Sequence, residues 1–209
     1  MLATTSFALS NPQTSARGAK SCTLLDKDGQ KVRITVGSKE APLRTPFGAN
    51  TYNDEDTPRK TLDFRLTDQQ AEEFVALDSW AIQYLADNSE RLFKKQLTKA
   101  QVEDHYRSPL SRKEGYQPLL RCKVNCRGAA ACRGWNGDGE RVSMPDDLRE
   151  CELVPRLHLS HLWVMGRDFG WVLNTVDLMI MEGDAEMECP FLRPALCCSV
   201  KPTCNFELQ

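Results

Sequence analysis

Apolar and polar residues alternate in several short runs of this chain, and one longer stretch switches to a period of three to four. Val32, Ile34 and Val36 alternate with Lys31, Arg33 and Thr35, the pattern of a strand with one face buried. With Thr23-Leu24-Leu25 on the far side of Asp26-Lys27-Asp28-Gly29, the spacing predicts a β-hairpin over 22–36. Residues 37–60 are polar and interrupted by Pro42, Pro46, Gly48 and Pro58, which reads as a long surface connection. TLDFRL at 61–66 alternates again through Leu62, Phe64 and Leu66.

Helical periodicity follows at once. Thr67-Asp68-Gln69-Gln70 fits a capping box, in which hydroxyl and amide close each other's orphan backbone groups. Phe74, Leu77, Ala81 and Leu85 then form one apolar stripe, widened by Trp80, Ile82 and Tyr84. SERLFKKQLTKAQVEDHY predicts further helix within 89–106, broken near Thr98. YQPLLRCKVN at 116–125 returns to strand, and GWNGDGER at 134–141 carries the Asn-Gly and Asp-Gly signals of a tight hairpin turn. Two long strands close the pattern, at 151–165 and 170–182, joined through Met165-Gly166-Arg167-Asp168-Phe169-Gly170. Strict alternation places Val172, Val176, Leu178 and Ile180 largely on one face of the last strand. It places His158 and His161, an odd number apart, on opposite faces.

This order predicts a mainly β chain with a helical insertion (α+β). The expected architecture is an OB-like five-stranded barrel with its helix between the third and fourth strands, and a β-sandwich with a helical excursion is the alternative. The expected division is a disordered N-terminal tail over 1–21, a domain over 22–182 and an irregular C-terminal tail over 183–209. A transit peptide is the competing reading of the first segment, which lacks an Arg-rich amphipathic helix.

Charge changes the picture more than bulk composition does. Residues 91–141 hold twelve Lys or Arg against five acids, net +7, whereas 142–191 hold three bases against ten acids, net −7. Such polarity concerns partners more than fold. No apolar run approaches the ~20 residues of a membrane helix, so no membrane partner is expected. The nine cysteines are odd in number and follow no secretory signal; a reducing intracellular compartment is expected, a nucleus or viral replication site first and an organelle second. Clusters at Cys122, Cys126, Cys132 and at Cys189, Cys197, Cys198, Cys204 raise zinc as an alternative. Neither gives paired C-x-x-C knuckles, and no metal or cofactor is expected.

Catalytic signatures are missing: there is no phosphate-binding Gly-rich loop, no Gly-x-Ser-x-Gly elbow and no His-Glu-x-x-His. The expectation is a non-enzymatic binder of single-stranded nucleic acid. Lys94, Lys95, Arg121, Lys123, Arg127 and Arg133 would meet phosphates, while Trp135 and Tyr116 would stack on bases. Trp163 and Trp171 are expected in the core. The acidic segment from Glu182 to Phe191 could fill a basic groove or anchor in a partner. A module that self-associates through opposed basic and acidic surfaces is the competing reading.

The motifs LRTPFGANTY (43–52), TLDFRL (61–66), YQPLLRCKVN (116–125), GERVSMPDDL (139–148) and HLSHLWVMGRDFGWVLNTVDLMI (158–180) together resemble the single-stranded-DNA-binding proteins of T-odd podophages and their relatives in large eukaryotic DNA viruses. The resemblance implies an OB-fold binding single-stranded DNA, in preference to RNA, without sequence preference, catalysis or metal. It also implies roles in replication, recombination or repair, dimerisation through the C-terminal tail and contacts to replication proteins through an acidic tail closed by an aromatic residue. This chain departs there: its acidic segment reaches Phe191 and eighteen residues follow.

Overall fold

The computed structural model describes residues 7–16, 18–51 and 57–181. Along the chain run β1 (Ala8–Leu9), β2 (Gln13–Thr14), β3 (Lys20–Leu25), β4 (Arg33–Thr35), β5 (Leu43–Arg44), β6 (Ala49–Asn50) and β7 (Arg59–Arg65). Helices α1 (Asp68–Asp87), α2 (Ser89–Phe93) and α3 (Lys99–His105) follow. The remaining strands are β8 (Tyr106–Arg107), β9 (Leu110–Ser111), β10 (Leu119–Asn125), β11 (Arg133–Trp135), β12 (Arg141–Val142), β13 (Glu152–Met165) and β14 (Asp168–Ile180). Strand structure thus begins upstream of residue 22, and the C-terminal tail lies outside the described residues.

The chain is mainly β with a helical insertion between β7 and β10, and its sheet is larger than the five strands expected. The described residues form fourteen strands in one sheet, whose main path runs β1-β3-β13-β14-β10-β7-β6. The cause is the length of β13 and β14, which pair as one antiparallel hairpin with room for several partners on each outer edge. Along the free edge of β13 lie β5, β4 and β3, opposite 152–153, 156–158 and 161–164. Along the free edge of β14 lie β8, β10 and β11, all parallel to it, at 169–170, 174–175 and 177–179.

The 22–36 hairpin is corrected in the same way. Its turn exists, with Asp26 Oδ1 accepting from the backbone N–H groups of Asp28 and Gln30. The flanking strands, however, run in the same direction along β13 and meet only at an isolated Leu25–Lys31 bridge. Pro155 fits inside β13 for a related reason. Its carbonyl accepts from Val36 N–H at 3.0 Å, so its missing N–H faces the gap where β4 has ended and β5 has not begun. The 37–60 connection is also more than surface: Leu43, Thr45, Pro46 and Gly48 are buried.

Two bulges decide which side chains face the core. Ser160 on β13 and Val176 on β14 are skipped in the pairing register, and each extra residue reverses the alternation beyond it. The inner face carries Leu157, Leu159, Leu162 and Val164 from β13 and Phe169, Trp171, Leu173 and Leu178 from β14, all buried. Val172 and Val176, half-buried, therefore share the outer face rather than joining Leu178 and Ile180. His158 and His161 are brought onto the same outer face, not opposite ones.

Helix α1 covers the inner face. Its start is the expected capping box, with Thr67 accepting from Gln70 N–H and Gln70 Oε1 accepting from Thr67 N–H. Phe74, Leu77, Ala81 and Leu85 are buried, and Trp80 stacks on Trp171 with ring centroids 6.3 Å apart. The break before α3 is a second capping box at Thr98 and Gln101. Asp78, inside α1, accepts from Tyr106 Oη at 2.6 Å and from Ser108 Oγ; burial raises its pKa even against those bonds.

Candidate nucleic-acid interface

The described helices pack on the inner face and none of them covers the outer face of the sheet, where the pairing registers order the side chains in rows. One row crosses the sheet through Arg33, His158, Asn174, Lys123 and Thr61. The next runs through Thr35, Arg156, Asp177 and Arg133, and beyond it lie Val154, Met179, Trp135 and Arg141. On the other side come Thr23, His161 and Val172, with Arg121 and Asp63 paired on the neighbouring strands. Arg59 stands at the start of β7 and donates to Asn174 Oδ1 at 3.1 Å.

Two nearly buried carboxylates organise these cations. Asp63, whose side chain is 7% exposed, receives Arg121 Nε at 3.2 Å, while the Arg121 side chain stays 65% exposed. Asp177 receives Arg133 Nη2 at 2.8 Å and Trp135 Nε1 at 2.9 Å. Burial works to raise the Asp177 pKa, but hydrogen bonds from Arg133 and Trp135 and the charges of Arg133 and Arg156 outweigh it and lower it. Both acids thus hold their arginines in place while leaving them in solvent.

The remaining groups register an excess of positive charge. Lys123 donates to Thr61 Oγ1 at 2.8 Å, and its pKa is lowered by burial and then by Arg59 and Arg121, against Asp63. Burial, then Lys31, Arg33 and His161, lowers His158; burial, then Arg59, lowers His161. Where three neighbouring groups all resist protonation partly because of cations around them, an anion is favoured.

Trp135 sits on the floor of a cleft of about 240 Å³ shared with Thr35, Arg133, Val154, Arg156, Asp177 and Met179. The guanidinium carbons of Arg133 and Arg141 lie 5.8 and 5.5 Å from its ring centroid, within cation–π range. Its ring is thus framed by cations instead of standing bare in a turn.

Of the residues expected from sequence, Arg121, Lys123, Arg133 and Trp135 come together, because β10 and β11 succeed one another along the same edge of β14. Tyr116 is 78% exposed in the turn before β10, where it shares a shallow pocket with Thr67 and Asp68 at the start of α1. Arg127 is exposed in the loop after β10. Lys94 and Lys95 are not brought to this face: they end α2, whose Phe93 packs on Phe169 of the inner face. Arg33, Arg59, Arg156, His158 and His161 were missed. Alternation in 154–158 marks Arg156 and His158 as one face, but only the pairing to β4 and β7 collects the rest.

Among the described residues, no three His, Cys, Asp or Glu side chains converge to hold a metal ion. Cys22, Cys122 and Cys132 are buried free thiols; burial, then Asp177 and Cys126, pushes Cys132 up to about 12, the behaviour of small apolar residues. The second cysteine cluster lies outside the described residues.

No family model matches the sequence, and no curated protein matches it. Among solved structures, the chain is similar to gp2.5, a single-stranded DNA binding protein encoded by bacteriophage T7, with a TM-score of 0.49 and 11% identity over 73% of this chain and 87% of that one. It is similar also to the single-stranded DNA-binding protein from bacteriophage Enc34 in complex with ssDNA, with a TM-score of 0.47 and 9% identity over 85% of this chain and 97% of that one. Both are phage single-stranded-DNA-binding proteins, the kind the sequence resembles.

Proposed function

We propose that the outer face binds single-stranded DNA without sequence preference and without catalysis, serving replication, recombination or repair as an OB-type binding surface. The observation that carries this reading is the concentration of Arg33, Arg59, Arg121, Lys123, Arg133 and Arg156 on one sheet face, with Asp63 and Asp177 tucked beneath two of them. Cations held by buried acids are pre-organised for phosphates, and the Trp135 cleft offers an aromatic ring to a base. The preference for DNA over RNA rests on the sequence resemblance, and paired DNA and RNA oligonucleotides test it directly.

Arg121 is a poor first target, since removing it strands the Asp63 carboxylate. Lys123→Gln combined with Arg156→Gln is cleaner. Each phosphate contact on a single strand contributes about 0.7 to the slope of log K against log salt. The double variant should therefore bind oligothymidylate more weakly and lower that slope by about 1.4. Lys94→Gln with Lys95→Gln, in the helical layer, should leave both nearly unchanged. Equal losses in the two variants would remove the face assignment.

A further inference from the structure

We infer that Trp163, lying across Gly170, is a second base-stacking platform, so that the single strand runs along the β13–β14 hairpin between it and the Trp135 cleft. This inference rests on the strand-face reading above and extends it to the path of the nucleic acid.

Trp163 does not join Trp171 in the core. The Ser160 bulge turns it outward, and it is half-buried where Trp171 is 4% exposed. Its cross-strand partner is Gly170. A Cβ on residue 170 would come within 3.1 Å of Trp163 Cε2 and Cζ2, and within 2.5 Å of the Arg107 carbonyl. The indole therefore occupies the space that any larger residue would fill, resting on the backbone of β14. Among the described residues no ring or guanidinium packs on it and its N–H has no partner, unlike Trp135, which two arginines and Asp177 hold. On the face it has Ser21 directly opposite, His161 two positions back and the exposed Met165 two positions on. An aromatic plate fixed from below, half-exposed among the described residues and on the same face as the cations, is the arrangement that receives a sequence-independent base stack.

The registers also set a span. Trp135 lies level with Met179 and Val154, and Trp163 lies level with Gly170. At ~3.3 Å per residue, and with the bulged residue left out, the two rings are roughly 26 Å apart along the strand direction. A stacked strand advances 3.4 Å per nucleotide, so roughly seven nucleotides bridge them and fewer if the strand is stretched. That lies within the ~4–16 nucleotides bound per OB unit.

The test compares a three-residue and a twelve-residue oligothymidylate on the full chain. Affinity of the unaltered protein should rise steeply between them. Trp163→Ala should weaken the longer strand by about five- to a hundred-fold and remove most of that rise, while Trp163→Phe should keep it. Ultraviolet crosslinking of the unaltered chain to the longer strand should place adducts on Trp163, a readout independent of whether the alanine variant folds. If Trp163→Ala binds normally while Lys123→Gln with Arg156→Gln is weakened, or crosslinks avoid Trp163, the platform is wrong and the face stands. If the unaltered chain binds neither oligonucleotide, both readings fall together.

Discussion

Asp63 and Asp177 show how a single buried acid can serve a basic surface. Each is nearly covered, each accepts from an arginine that stays in solvent, and neither cancels the cationic field that, after burial, lowers the pKa of Lys123, His158 and His161. Those two histidines make the surface sensitive to pH in opposite ways for folding and for binding. An unfolded chain protonates them near the ordinary 6.5, while the folded chain resists to lower pH. Their contribution to stability is full above that value and is lost as pH falls from 6.5 through the lowered folded values. Bound phosphate favours the imidazolium, so affinity for single strands should rise over the same interval. His158→Gln with His161→Gln should flatten both profiles, measured by thermal unfolding and by oligonucleotide titration. Unchanged profiles would mean that other groups govern this range.

At the scale of elements, structure set by near neighbours was legible and structure set by distant ones was not. The capping box at Thr67, the helix break near Thr98 and the hairpin turn within 134–141 depend on residues a few positions apart, and each forms where its pattern predicts. Residues 23–25 form part of a strand as their pattern predicts, but that strand, β3, pairs through 20–23 with 161–164 and not with 32–36, since pairing is chosen by whichever long edge is free. The bulges were the other hidden term. No composition marks Ser160 or Val176 as unpaired, yet the bulge at Ser160 moves His161 and Trp163 onto the face that His158 already occupies. Deleting Ser160 tests this. With the extra residue gone, strict alternation from Leu159 still turns Leu162 and Val164 inward, so the melting temperature should change little. A large drop, on the scale of the ~1.5–3 kcal/mol that each side chain loses when turned outward, would show that the register beyond the bulge depends on Ser160 itself.

Across the whole molecule, the division of charge along the chain is not a division of space. Arg156 belongs to the acidic rear of the sequence yet stands among the cations, and Asp177 from the same segment braces Arg133 from the basic middle. Lys94, Lys95 and Lys99 lie in the basic middle and end up in the helical layer. The candidate site was therefore half legible: alternation in β10 announced Arg121 and Lys123, and Arg133 was marked by its place beside Trp135 in sequence, whereas Arg33 and Arg59 needed the sheet.

The arrangement of short strands along the β13–β14 hairpin also dictates when this protein can acquire its shape. β3, β4 and β5 take their places against residues 152–164, which leave the ribosome more than a hundred residues later. The early strands β3, β4 and β5 must wait, their edges unsatisfied, until residues 152–164 have been made. Loop closure over such distances makes folding slow, in the millisecond-to-second range typical of β-rich topologies, and exposes the waiting strands to aggregation. A nascent chain stalled at residue 150 should be fully sensitive to protease, and one extended past residue 180 and clear of the exit tunnel should be resistant. Early resistance would mean that the helical insertion and β7 form a stable nucleus without the hairpin.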